Sequence, residues 1–184
     1  MLTTSDARER GHGSRGRRTM TTTATLSSSV TKSAARNLVI TRIFDAPREL
    51  VFKAWIDSKQ LAQWWGPHGF TNPVCELDAR PGGAIRIDMR GPDGLVYPMK
   101  GSFHKIAEPE LLVFTSSAFD DEKGDPQLKV LNTITFIGLG DDKTRLTLRA
   151  DVVKSTPAVE AALAGMEEGW SQSLDRLADV LGKR

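Results

Sequence analysis

Few residues in this 184-residue chain have types and spacings that suggest chemistry, and each has a plainer explanation. His12 lies in a polar N-terminal stretch, so the histidines of the remaining chain are His68, in a Gly/Pro-rich loop, and His104, on an expected strand. Neither shares a metal-binding spacing with a second ligand, and no H-E-x-x-H motif occurs. Cys75 is the sole cysteine, which excludes an internal disulfide and a cysteine-rich metal site. Its apolar surroundings suit a small buried hydrophobe better than a nucleophile. Ser171 and Ser173 have no histidine near them in sequence. Arg80-Pro81-Gly82-Gly83 is glycine-rich but matches neither a phosphate loop nor a dinucleotide motif, and a tight hairpin accounts for it. Glu76, Asp78, Arg86, Asp88 and Arg90 would recognise a polar ligand if they lined a cavity. The competing reading is the solvent face of a sheet. No acid–base pair can be named, so catalysis is not the expected activity, and no cofactor or metal is expected.

The aromatic residues carry more information. The chain has four Trp against one Tyr, and Trp55, Trp64 and Trp65 fall within eleven positions. Such residues build cores, and they also line apolar ligand sites.

The elements that must position them can be read in order. Residues 1–36 are rich in Ser, Thr, Gly and Arg, with too little apolar surface to offset chain entropy, and are expected to form a disordered tail. That segment carries +5, leaving −3 for the rest of a chain whose total is +2. The folded part is therefore mildly acidic, and a nucleic-acid partner is not indicated. Arg15-Gly16-Arg17-Arg18 lacks the apolar stretch of an export signal; its Arg/Ser-rich setting is shared with organelle transit peptides, and Met20 is an alternative start. No apolar run is long enough for a membrane span. With no disulfide to form, the expected location is the cytoplasm.

Residues 37–184 read as one domain. Asn37 to Asp45 is an expected strand. Pro47 to Ile56 and Lys59 to Trp65 are expected short helices, with Asp45 and then Asp57 or Ser58 as caps. Gly66-Pro67-His68-Gly69 ends the second helix. Six expected strands follow in hairpin order, Pro73 to Ala79, Ala84 to Arg90, Leu95 to Ala107, Leu111 to Ser116, Lys129 to Gly138 and Thr144 to Val152. The clearest is Ala84 to Arg90, with Ile85, Ile87 and Met89 alternating against Arg86, Asp88 and Arg90. Gly101 is expected at a bend or bulge, and a long polar loop is expected at Asp120 to Gln127. Val159, Leu163, Met166, Trp170, Leu174, Leu177 and Leu181 then fall on one face of a helix predicted from Pro157 to Leu181, about 37 Å long, with Thr156 as N-cap. The fold class is α+β: a curled antiparallel sheet of about seven strands covered by a long C-terminal helix. A straight helix on a curled sheet leaves a gap, and Trp55, Trp64, Met89, Met99, Phe103, Met166 and Trp170 are the residues expected to line it.

Several motifs together resemble one family. Ile43-Phe44-Asp45-Ala46-Pro47 with Val51-Phe52-Lys53-Ala54-Trp55 resembles the opening of the SRPBCC superfamily, the START and birch-pollen-allergen-like group. Trp64-Trp65-Gly66-Pro67, Arg80-Pro81-Gly82-Gly83, Gly101, Glu108-Pro109 and Gly169-Trp170 resemble its branch related to the C-terminal domain of the activator of heat-shock protein 90 ATPase. The resemblance implies a helix-grip fold whose sheet wraps the C-terminal helix around a hydrophobic cavity. The expected function is binding of a small hydrophobic molecule. The alternatives are a polyketide cyclase or aromatase-like enzyme and a chaperone-activator-like interaction module. A homodimer and a chaperone partner stay open.

Overall fold

The computed structural model describes residues 37–182, and the expectations for residues 1–36 lie outside them. Seven strands form one antiparallel sheet in the order β1-β7-β6-β5-β4-β3-β2. They are β1 (Asn37–Phe44), β2 (Thr71–Leu77), β3 (Ala84–Arg90), β4 (Val96–Ala107), β5 (Leu111–Asp120), β6 (Pro126–Gly140) and β7 (Lys143–Ser155). β2 to β7 make a meander of hairpins, whereas β1 crosses back to the far edge and pairs Asn37 with Asp151. α1 (Arg48–Ile56) and α2 (Ser58–Trp64) lie between β1 and β2, and α3 (Glu160–Ala164) and α4 (Met166–Gly182) close the chain.

Local chemistry explains the short helices. Asp57 caps α2, its Oδ1 accepting from the backbone N–H of Lys59 at 2.9 Å and Gln60 at 3.1 Å. α1 has no side-chain cap: Pro47, not Asp45, stands at its N-cap position, and the Pro47 carbonyl accepts the first helical N–H groups. The expected long loop after Asp120 is a tight turn instead. Asp121 Oδ1 accepts from the N–H groups of Lys123 and Asp125, both at 2.9 Å, so β5 and β6 run on almost to it. Gly101 is neither bent nor bulged. It pairs regularly with Ser116, and any Cβ there would collide with the Thr115 carbonyl; the register shift falls at Phe103/Lys105.

The C-terminal helix departs from expectation in continuity. Pro157–Val159 is a 3₁₀ turn, α3 is five residues long, and Gly165 interrupts before α4 begins. Thr156 stands at the N-cap position of the 3₁₀ turn as expected, but its hydroxyl makes no capping bond and is turned to Gln127 Oε1 at 2.6 Å. α4 is 17 residues, about 25 Å long. It buries Leu174, Leu177 and Leu181 and packs on α1, α2 and β1.

One sheet face is apolar over most of its centre. Ile85, Ile87, Met99, Phe103, Leu112, Phe114, Val130, Ile134, Phe136, Leu146 and Leu148 are buried there, joined by Phe52, Trp55 and Trp64 from the helices. The opposite face is mixed: it carries polar pairs such as Thr41–Thr147 and Arg149–Asp151 and also exposed apolar residues on β1 and β6.

Candidate binding site

The tryptophans meet because three separate elements deliver them to one place. Trp55 is on the buried face of α1, and Trp64 ends α2. Trp65, the C-cap of α2, has left helical geometry (φ −61°, ψ 134°), which swings its ring inward. Trp170 comes from α4. Ring centroids are 4.7 Å apart for Trp55–Trp64 and 5.1 Å for the edge-on pair Trp65–Trp170. Trp170 lies nearly parallel to Trp55 at 6.1 Å. Trp64 Nε1 donates to the Ala54 carbonyl at 3.0 Å, which fixes α2 against α1. Trp55 Nε1 is buried and has no protein partner.

Between this cluster and the sheet is an apolar space lined by Trp55, Leu61, Trp65, Ile87, Phe103 and Phe114, with Leu77, Ile85 and Leu112 completing it. It presents no polar surface, and its free volume is only about 10 Å³. That is room for about one water molecule. The wide cavity expected under the helix is therefore filled in this form. The cause is bulk: four indoles and three phenylalanines occupy the mismatch between helix and sheet.

Of the seven residues expected to line the gap, Trp55 and Phe103 do so. Trp64 and Met99 are buried but do not border it. Met89 is half-buried with its sulfur beside Gly66, toward the outer edge of the cluster. Met166 and Trp170 are half-buried, not sealed beneath the sheet. Trp170 therefore stands between the lining indoles and solvent. Trp65, noted in the tryptophan cluster but not expected at the gap, lines it, as do Leu61 and Phe114, which the sequence analysis did not single out. For Phe114 the signal was present, because Leu112 and Phe114 alternate with Val113 and Thr115 as Ile85 and Ile87 do with Arg86.

The other candidates sit elsewhere. Glu76, Arg86 and Asp88 form ion pairs on the outer face, Arg86 reaching Asp88 at 3.1 Å and Glu76 at 3.8 Å, and Asp78 pairs with Arg80; Arg90 is exposed. His104 is exposed and bonds Thr115 Oγ1 at 3.2 Å; His68 is exposed in its loop. Ser173 Oγ donates to the Gly169 carbonyl within its own helix at 2.8 Å. Burial pushes the Cys75 thiol up to about 11, which keeps it protonated and unreactive near neutrality. No group of three metal-ligating side chains occurs among the described residues. No helix among them is long and apolar enough to cross a membrane.

A seven-stranded antiparallel sheet, two short helices after its first strand and a C-terminal helix on its apolar face define an α+β helix-grip domain. The chain belongs to the Activator of Hsp90 ATPase homolog 1-like protein family, whose profile matches residues 45–182, and so to the SRPBCC group that its motifs resemble. Similar solved structures include a protein from Arthrobacter aurescens (29% identity, 85% of this chain and 92% of that one, TM-score 0.72). A Mycobacterium smegmatis protein has 29% identity over 80% of this chain and 91% of its own, TM-score 0.67. An AHSA1 protein from Silicibacter pomeroyi has 27% identity over 79% and 97%, TM-score 0.65. A comparison with curated proteins returned no significant match.

Proposed function

We propose that this domain binds a small apolar molecule between the sheet and α4, and that it does so by opening a packed aromatic cluster. The carrying observation is the wholly apolar space behind a half-buried Trp170. A ligand larger than water enters only if side chains move. Trp170 is placed to move, because it is on the half-exposed start of α4, five residues after the break at Gly165. Trp65 follows it, since the two rings touch edge to face. No ionisable group lines the space, so its chemistry supports binding rather than proton transfer of the cyclase kind. A single half-buried cysteine suits a reducing compartment such as the cytoplasm.

The test is titration with flat aromatic compounds and fluorescent fatty acids, read by tryptophan fluorescence and calorimetry. Binding should show a negative heat-capacity change and little salt dependence. Met166→Trp should crowd the entrance and weaken binding while the protein stays folded. Absence of binding by the entire panel would remove this reading.

One observation favours a protein partner as a second reading. The outer face of β1–β7–β6 exposes Val39 (59%), Ile43 (62%), Ile137 (45%) and Leu139 (45%). Ile43 and Ile137 flank Arg145 in register, so apolar and cationic groups share one strip. A chaperone or a second copy of this chain would meet that face. Ile43→Glu would then abolish association in light scattering or pull-down while leaving small-molecule binding intact.

A further inference from the structure

The apolar inner face carries a polar pair near its centre, Asn132 on β6 and Ser116 on β5. Along β6 the inward positions run Val130, Asn132, Ile134, Phe136, and Asn132 is fully buried. Its Nδ2 donates to Ser116 Oγ on β5 at 2.9 Å, while its Oδ1 has no protein partner. Buried amides without partners are rare and costly, and they persist where something other than stability selects them.

A second orphan faces the sheet from α1. Trp55 Nε1 is buried and unpartnered. The Trp55 ring lies 6.4 Å from Phe114, which stands opposite Asn132 in the β5–β6 register. It also lies 6.3 Å from Phe136, two inward positions along β6. Thus the rings bracketing Asn132 on the sheet are the ones Trp55 covers. One unpaired acceptor and one unpaired donor are held in the apolar cluster: Trp55 lines the space described above, whereas Asn132 stands next to the lining residue Phe114 and is reached only when the cluster opens.

We propose that these two groups are the polar anchor of the binding site, and that its ligand is a neutral, hydroxyl-bearing apolar molecule of the phenol or alcohol class. The inference rests on the proposed binding function and sharpens it. A hydroxyl is the small group that both donates, to Asn132 Oδ1, and accepts, from Trp55 Nε1. A carboxylate matches poorly: it offers no proton to Oδ1, and neither Lys nor Arg lines the space to balance its charge. A plain hydrocarbon leaves both atoms unpaired.

The experiment compares three probes of one shape on the full chain by calorimetry: 2-naphthol, naphthalene and 2-naphthoate. The naphthol should bind about tenfold tighter than naphthalene, the value of about one well-made buried hydrogen bond. The naphthoate should bind weakest. Asn132→Leu should reduce naphthol affinity to that for naphthalene and leave naphthalene binding within about twofold, since only the polar contact is lost. Its melting temperature should change little, because relief of the orphan Oδ1 is offset by loss of the Nδ2–Ser116 Oγ bond. Trp55→Phe, which keeps an aromatic ring without the N–H, should narrow the preference independently. Equal affinities of naphthol and naphthalene for the wild-type protein, or a preference that survives both substitutions, would overturn the anchor and leave apolar binding standing. Failure of all three probes to bind would remove the binding function itself.

Discussion

Arg176 ties the aromatic cluster to α4 by a single side chain. The carbonyls at the C-terminal end of α2 have no partners within the helix. Arg176 Nη1 donates to the carbonyls of Trp65 (3.1 Å), Gly66 (2.8 Å) and Pro67 (2.9 Å), and its Nη2 to Gln63 (3.0 Å). Burial pulls its pKa below the ordinary guanidinium range, yet the carbonyl cage is satisfied only by a charged, forked donor. Arg176→Ala should cost about 2–4 kcal/mol in urea unfolding, since several charge-assisted bonds are lost together. Arg176→Lys should recover less than half of that, because an ammonium cannot span the four carbonyls. A loss below about 1 kcal/mol for the alanine variant would show that the loop holds itself. Cys75 makes a second prediction at this scale. Its folded thiol titrates at about 11 against an ordinary 9.0. Raised pKa means that the folded state holds the proton longer, so the contribution is full below pH 9 and is lost as pH rises toward 11. Cys75→Ala should therefore flatten the alkaline fall in stability between those limits. An identical pH profile for both proteins would refute it.

Elements were legible where their own residues decide them. The alternation of Ile85, Ile87 and Met89 fixed both the extent and the facing of β3, and Asp57 announced the start of α2. The break at Gly165 was not legible, because the apolar stripe from Val159 to Leu181 passes straight through it. Such a stripe reports which face is buried and says nothing about continuity. The filled state of the gap was equally hidden. It depends on Trp65 leaving the helix one residue early, which is decided by Arg176 and by Asn72, whose Nδ2 also donates to the Trp65 carbonyl, at 2.8 Å. Both partners are distant in sequence or lie beyond the helix end. A prediction about α3 and α4 follows from the break. Gly165 has φ −86°, and an added Cβ would approach nothing closer than the Ala161 carbonyl at 3.6 Å. Gly165→Ala should therefore be tolerated, raise helicity by circular dichroism and stabilise the protein by about 0.5–1 kcal/mol. If movement of Trp170 about this point admits ligand, the same variant should slow association in stopped-flow binding. A destabilised variant would mean that the break is required for packing.

At the scale of the whole molecule, the seam between β1 and β7 differs from every other seam in the sheet. The meander from β2 to β7 is made of strands adjacent in the chain, and hairpins of that kind close quickly. β1 has no such neighbour: Ile40 finds Leu148 only across nearly the full length of the domain. Closing so large a loop is entropically expensive until most of the sheet exists to reward it. The expected order of assembly has the hairpins of the meander, β5–β6 among them, forming early and β1 docking late. Ile40→Ala should then leave the refolding rate almost unchanged and accelerate unfolding, a φ-value of about 0–0.3. Leu112→Ala, in the β5–β6 hairpin, should slow refolding, with φ above about 0.5. Chevron kinetics on the two variants measure both, and the reverse pattern would place β1 in the nucleus. With late docking, the first strand is also the first to leave. Brief openings of the native protein would then expose the inner wall of the sheet along the β1 edge, and amide exchange of β1 should run ahead of that of β5 and β6.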